Sequence, residues 1–224
     1  MSISNNPLPA AEQTDPISNP ASTHVTIIRA TRGLSAINFL ELWQYRDLLL
    51  TLGLRDVQLR YRQTALGVIW VVLQPLLTSV IFTVVFGLIA KMPTNTVPQF
   101  LLSYVGMLAW SVFSGILTRI SISMIGNAQL VSKIYFPRLI LPLSTSFSVL
   151  VDFGVAALVL IPLMFVYHVH IGVGILLAPL FLLLILLISL GVGLYAAALT
   201  VNYRDVQYIV PFVLQLLLYA SPVH

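Results

Sequence analysis

Few residues in this chain could take part in chemistry, and none of them form a catalytic set. The first is Asp152, an acid near the middle of an otherwise apolar stretch. A carboxylate at that depth costs roughly 2.5–3.5 kcal/mol on insertion scales, so it should face protein or water rather than lipid. It could line a hydrophilic conduit, hydrogen-bond across a helix interface or, less favoured, relay protons. No Lys or Arg falls at matching depth in the linear pattern, which argues against an ion pair. The second set is Tyr104, Trp110 and Phe113 in one apolar run, whose rings could stack on sugars but more commonly pack or sit in an interfacial belt. The third is a basic run, Arg55 to Thr64, directly before another apolar stretch.

The absences are equally informative. There is no Gly-x-x-x-x-Gly-Lys-Ser/Thr loop to cradle ATP phosphates, no His-Glu-x-x-His and no Gly-x-Ser-x-Gly. The seven acids do not cluster on one loop, and the chain has no cysteine, so disulfides, thiolate metal sites and cysteine nucleophiles are excluded. His168 and His170 flank a short loop without a carboxylate beside them, a weak metal signal.

The elements that must position these residues are membrane helices. Hydrophobic residues make up 58% of the chain and charged residues 8%, against about 25% charged in soluble domains. A water-facing surface cannot be built from that inventory. A span needs roughly 20 apolar residues, which predicts helices near 67–90, 98–118, 139–166 and 172–201, with a fifth from 206 to 224. The net charge of +4 could suggest nucleic acid, but the charges lie in short runs between spans. Placing the N-terminus in the cytoplasm leaves ten of the eleven Lys and Arg inside and only Lys91 outside, as the positive-inside rule requires.

Residues 1–36 are read as a largely disordered cytoplasmic tail, with no secretory signal in the first 22, and 37–66 as an interfacial helix and basic collar preceding a transmembrane domain over 67–224. From Ile37 to Leu52, Phe39, Leu42, Trp43, Leu49 and Leu50 share one face at helical spacing, with Arg46 snorkelling from it. This predicts a helix lying on the inner leaflet, with packing on a partner protein as the alternative. Trp43, Arg55, Arg60, Arg62 and Arg204 are the expected interface anchors. The loop Asn127 to Arg138 reads as a short helix capped by Asn127 and ended by Pro137. It could dock into a partner's groove or serve as another interfacial anchor; the pattern leaves both open. Arg55-Asp56-Val57-Gln58 recurs as Arg204-Asp205-Val206-Gln207, a similarity that a shared demand for anchors explains without a repeat.

Three stretches carry a resemblance to a known family: RDVQLRYRQTALGVIWVVLQP (Arg55–Pro75), GNAQLVSKIYFPR (Gly126–Arg138), and NYRD (Asn202–Asp205) with the run to Ser221-Pro222. From about Thr26 onward the chain resembles the membrane subunits of type-2 ABC exporters, specifically the polysaccharide and O-antigen export permeases. The resemblance implies an all-α, homodimeric, polytopic permease with six spans per subunit, in the bacterial inner membrane. It implies a separate ABC ATPase subunit that binds ATP and Mg, so this chain would hold no cofactor itself. Asn127, Leu130, Lys133, Tyr135, Phe136 and Arg138 would lie on the helix that receives the ATPase's motion. Trp70, Tyr104, Trp110, Phe113 and Asp152 would be candidates for the path of a lipid-linked glycan such as O-antigen, capsule or a teichoic-acid-like polymer. The family continues past the Ser-Pro position, so the chain is expected to be short at its C-terminus. The rivals are export of a small lipophilic drug or lipid by the same architecture, and a membrane-embedded glycan transferase using Asp56 and Asp205.

Overall fold

The computed structural model describes residues 39–62, 67–89, 98–133, 136–169 and 172–221, and every regular element in them is helical. The predicted tail over 1–36 and the outer Lys91 lie outside the described residues. Helices α1 (Phe39–Gln44) and α2 (Arg46–Arg62) precede the first span. Gly67, at φ 45°, then begins α3 (Val68–Phe82). That left-handed backbone favours glycine. Beyond Phe82 the same helix loosens into a π-helical segment, Thr83–Ile89.

Four helical stretches are long and apolar enough to cross a bilayer: Val68–Gly87, Gln99–Gly126, Ile140–Val166 and Val173–Asn202. The fifth predicted span appears as the shorter apolar helix α9 (Val206–Ala220). The third is broken. Helix α6 (Ile140–Leu158) gives way at Val159 to α7 (Leu160–Val166). Pro162 explains the break, because it cannot donate to the Leu158 carbonyl and its ring crowds the preceding turn.

Helix α4 (Gln99–Gly126) is the organiser. Of its most apolar window 44% is buried, against 11% or less for the other three, so the rest of the bundle packs around it. Helices α3, α6, α8 (Ala178–Asn202) and α9 all touch it. Its interface with α8 and α6 holds Val112, Ile116, Ile120, Val149 and Ala197, with Leu186 and Leu190 packed alongside. Small residues let the backbones approach: a Cβ on Gly115 would come 3.2 Å from Val149 Cγ1. In a bilayer, where apolar attraction between helices is weak, such close van der Waals contact drives association.

The sequence places the end of this span near residue 118, because Arg119 reads as a loop residue. The helix instead runs on to Gly126. Likewise the amphipathic helix continues past Leu52 to Arg62 and lies along α6. Leu48, Leu49 and Leu52 pack with Phe136, Ile140 and Leu141, while Trp43 and Leu50 of the predicted apolar face are 70% and 43% exposed. Arg46 stacks its guanidinium over Trp43 at 5.4 Å. The contact with α6 is intimate at Gly53, where a Cβ would meet Phe147 Cδ1 at 2.8 Å and the Ser144 carbonyl at 3.3 Å. Gly53→Val is therefore expected to pry α2 from α6 and cost about 1–3 kcal/mol by overpacking, seen as a lowered melting temperature in detergent.

Candidate functional site

At the level where α2, α4 and α6 meet, three side chains converge on one carboxylate. Asp152 of α6 accepts from Arg60 Nη1 and, at 2.9 Å, from Arg119 Nη2, both on Oδ2. The Tyr61 hydroxyl donates to its other oxygen, Oδ1, at 2.6 Å. Arg119 Nη1 donates in turn to Ser148 Oγ. The Asp152 side chain is 14% exposed, Arg119 24% and Arg60 35%, so this is a half-buried ion-pair network held by three helices. The expectation that Asp152 has no cationic partner is overturned. The cations come from two places that a linear count assigns to the membrane surface. Extension of α4 carries Arg119 into the bundle, and α2 lies back along α6 and brings Arg60 alongside. Arg60 accordingly reaches inward to Asp152. Arg62 and Arg204 are exposed.

Tyr61 precedes the first span, and its phenol is pushed up to about 12. Burial contributes most, followed by the hydrogen bond to Asp152 and that carboxylate's charge; nearby Arg60 opposes them. An unfolded tyrosine ionises near 10, so the folded chain holds this proton where the unfolded one has lost it. Stability from Tyr61 is therefore complete below about pH 10 and is lost as pH rises toward about 12. Phenolate absorbance should therefore show the same number of tyrosines ionising near pH 10 in the folded chain as in folded Tyr61→Phe, whereas the two denatured chains should differ by one.

Above the network opens a cavity of about 510 Å³. Its walls include Trp70, Gln74, Thr78, Trp110, Ser114 and Asp152, an aromatic and hydroxyl lining suited to a polyhydroxylated ligand. Pro75 stands in the same wall; it has no N–H for the Val71 carbonyl. Two of the other candidates are elsewhere. Tyr104 is fully buried, donates to the Ala156 carbonyl at 2.8 Å and packs with Leu108, Leu76 and Leu160. Phe113 is not among the residues lining the cavity, although its ring lies 5.7 Å from that of Trp110. Tyr104 thus holds α4 to α6 from within the core. Sequence reasoning missed Gln74, Thr78 and Ser114, three polar residues without a spacing signal, and it missed Arg119.

A second cavity, about 260 Å³, lies toward the end of the bundle that carries α2 and the short helix α5 (Ala128–Lys133). Asp56, Ile122, Asn127, Thr145 and Ser148 line it. Asn127 Nδ2 turns back to the Ser123 carbonyl at 3.0 Å and its Oδ1 accepts from Arg55 Nη2 at 3.5 Å, so its side chain finishes α4 and ties that end of α4 to α2. Asp56 pairs with Arg55 at 3.8 Å. Phe136 is 6% exposed beneath α2, with Leu130 half-buried beside it, which withdraws Phe136 from any partner's groove. Arg138 is exposed; Tyr135 and the Lys133 side chain lie outside the described residues.

A profile of the ABC-2 type transporter family matches residues 47–224. The O-antigen export system permease protein RfbA of Myxococcus xanthus is 31% identical over 183 residues, covering 82% of this chain and 70% of its own length. A protein of the same description from Klebsiella pneumoniae is 32% identical over 121 residues, which is 54% of this chain and 46% of that protein. The chain thus spans less than half the length of the Klebsiella relative in that match. The profile covers the described helices from α2 to α9, including the three that build the charged network. The chain belongs to the ABC-2 type transporter family.

Proposed function

We propose that this chain is the permease subunit of an ATP-driven exporter of lipid-linked polysaccharide in the bacterial inner membrane. It works as a homodimer with its N-terminus in the cytoplasm, and a separate ABC ATPase subunit holds the ATP and Mg. The observation that carries the reading is the 31% identity to an O-antigen export permease over most of the chain. The aromatic and hydroxyl lining of the larger cavity supports a sugar polymer over a purely lipophilic cargo, because stacking and hydrogen bonding are both needed to hold a glycan. The α5 region is the point at which the ATPase pushes. Its movement reaches the membrane helices through the Asn127–Arg55 contact and through Phe136 packed under α2. Such coupling requires contacts that differ between the two states.

Cysteine cross-linking tests the orientation and the partner together. The chain has no native cysteine, so Ala128→Cys or Arg138→Cys each gives a single probe beside α5. Both should cross-link to the ATPase subunit, whereas Val173→Cys, exposed at the far end of the fourth span, should not. Cross-linking of Val173→Cys alone would overturn the proposed topology.

A further inference from the structure

Arg60 and Arg119 line both cavities, and no other residue named in the two walls does so. We propose that these two guanidinium groups form a charge-selective septum between the cavities, pinned shut by Asp152, which admits an oxyanion group such as a phosphate on the passing molecule. The inference rests on the permease reading and deepens it.

The geometry supports a movable partition. Each guanidinium is anchored through side chains on other helices: Arg60 of α2 reaches Asp152 of α6, and Arg119 of α4 reaches both Asp152 and Ser148. A shift of α2 against α6 therefore pulls Arg60 away from its carboxylate, and the cavities merge. Charge sets what can pass. Facing the two cavities are Arg60, Arg119, Asp56 and Asp152, with Arg55 paired to Asp56 and Tyr61 a neutral donor to Asp152. Among the described residues, three cations stand against two carboxylates, which gives the junction an excess positive charge. Guanidinium groups offer planar paired N–H donors that match phosphate oxygens. An entering oxyanion can take the place of Asp152 on both arginines, whereas an entering cation meets the excess positive charge and is repelled. Asp152 is a positioning residue here: it acts by holding the arginines across the opening.

Ser114→Cys puts a single thiol on the wall of the larger cavity in a chain otherwise free of cysteine. The chain, with its ATPase partner, is placed in sealed vesicles. An anionic (ethylsulfonate) or a cationic (ethyltrimethylammonium) methanethiosulfonate is added only on the side carrying α2 and α5. Each rate is normalised to that reagent's rate with a free thiol. With the septum intact both rates are slow. Asp152→Asn, which keeps both guanidiniums but unpins them, should accelerate the anionic reagent by about tenfold over the cationic one, as a cleft of one sign of charge concentrates its counter-ion. Arg60→Gln/Arg119→Gln, which leaves Asp56 and Asp152 against Arg55, should accelerate both reagents with the preference for the anion lost and the cationic one favoured. If Asp152→Asn does not fold, Tyr61→Phe/Ser148→Ala loosens the same pair without changing charge and carries the same expectation. Unchanged rates in a folded variant overturn the septum, and equal acceleration of the two reagents in Asp152→Asn overturns its charge selectivity. The rates are read without transport, so their failure leaves the permease reading standing. Loss of transport in a chain with the expected rates would strike that reading alone.

Discussion

Asp152→Ala should be among the most damaging single substitutions in the bundle, lowering stability by about 3 kcal/mol. That is the lower end for breaking a buried ion pair, because Arg60 is 35% exposed and water partly screens it. The alanine leaves Arg60 and Arg119 facing each other without their shared carboxylate, and the Tyr61 hydroxyl without its acceptor. Thermal melting in detergent reads the loss. The informative companion is the triple replacement Arg60→Met/Arg119→Met/Asp152→Leu. It removes the charges of the network together, so it should recover most of the stability that Asp152→Ala loses while transport stays abolished. Recovery of transport along with stability would mean that the network only holds helices together.

Gly193→Leu should separate α8 from α4. A Cβ at Gly193 already lies 3.1 Å from both Cβ and Cγ2 of Ile120, and Ile120 is fully buried. Its β-branched side chain is restricted at χ1 and cannot swing away, so a leucine must displace a helix. The expected cost is about 1–3 kcal/mol, and more if α8 dislodges. Ile120→Ala alone opens a hole at the same point, but Gly193→Leu/Ile120→Ala restores approximate volume and should be milder than either single change. Greater-than-additive damage in the double variant would show that the α4–α8 contact is not the site of strain.

Hydropathy alone makes the membrane helices legible, since runs of about 20 apolar residues have few alternatives. Their ends are less legible where a charge sits within the helix. Arg119 truncates the predicted second span because a lone arginine in lipid is costly; in the bundle, Asp152 and Ser148 satisfy it. The Asp152 partners were hidden for a related reason. Arg60 belongs to a helix outside the spans, and only its lie along α6, permitted by the bare Gly53 contact, brings it to the carboxylate. Trp70 and Trp110 stand in the wall of the cavity, whereas Tyr104, equally aromatic and only six positions before Trp110, is turned into the core. Facing depends on how neighbouring helices pack, which residue type does not encode. Phe136 shows the same limit at α5, where an apolar residue that suits a docking surface is consumed by α2.

In the function proposed above, this chain and an ABC ATPase together move a lipid-linked polysaccharide across the inner membrane. The most direct test uses sealed inside-out vesicles carrying the chain and its ATPase, with labelled lipid-linked polysaccharide supplied outside and ATP added. ATP should make the glycan resistant to an externally added glycosidase, and Arg60→Gln/Arg119→Gln should abolish this protection while the complex remains assembled. Full ATP hydrolysis with no protected glycan, while a small lipophilic compound accumulates in the same vesicles, would contradict it.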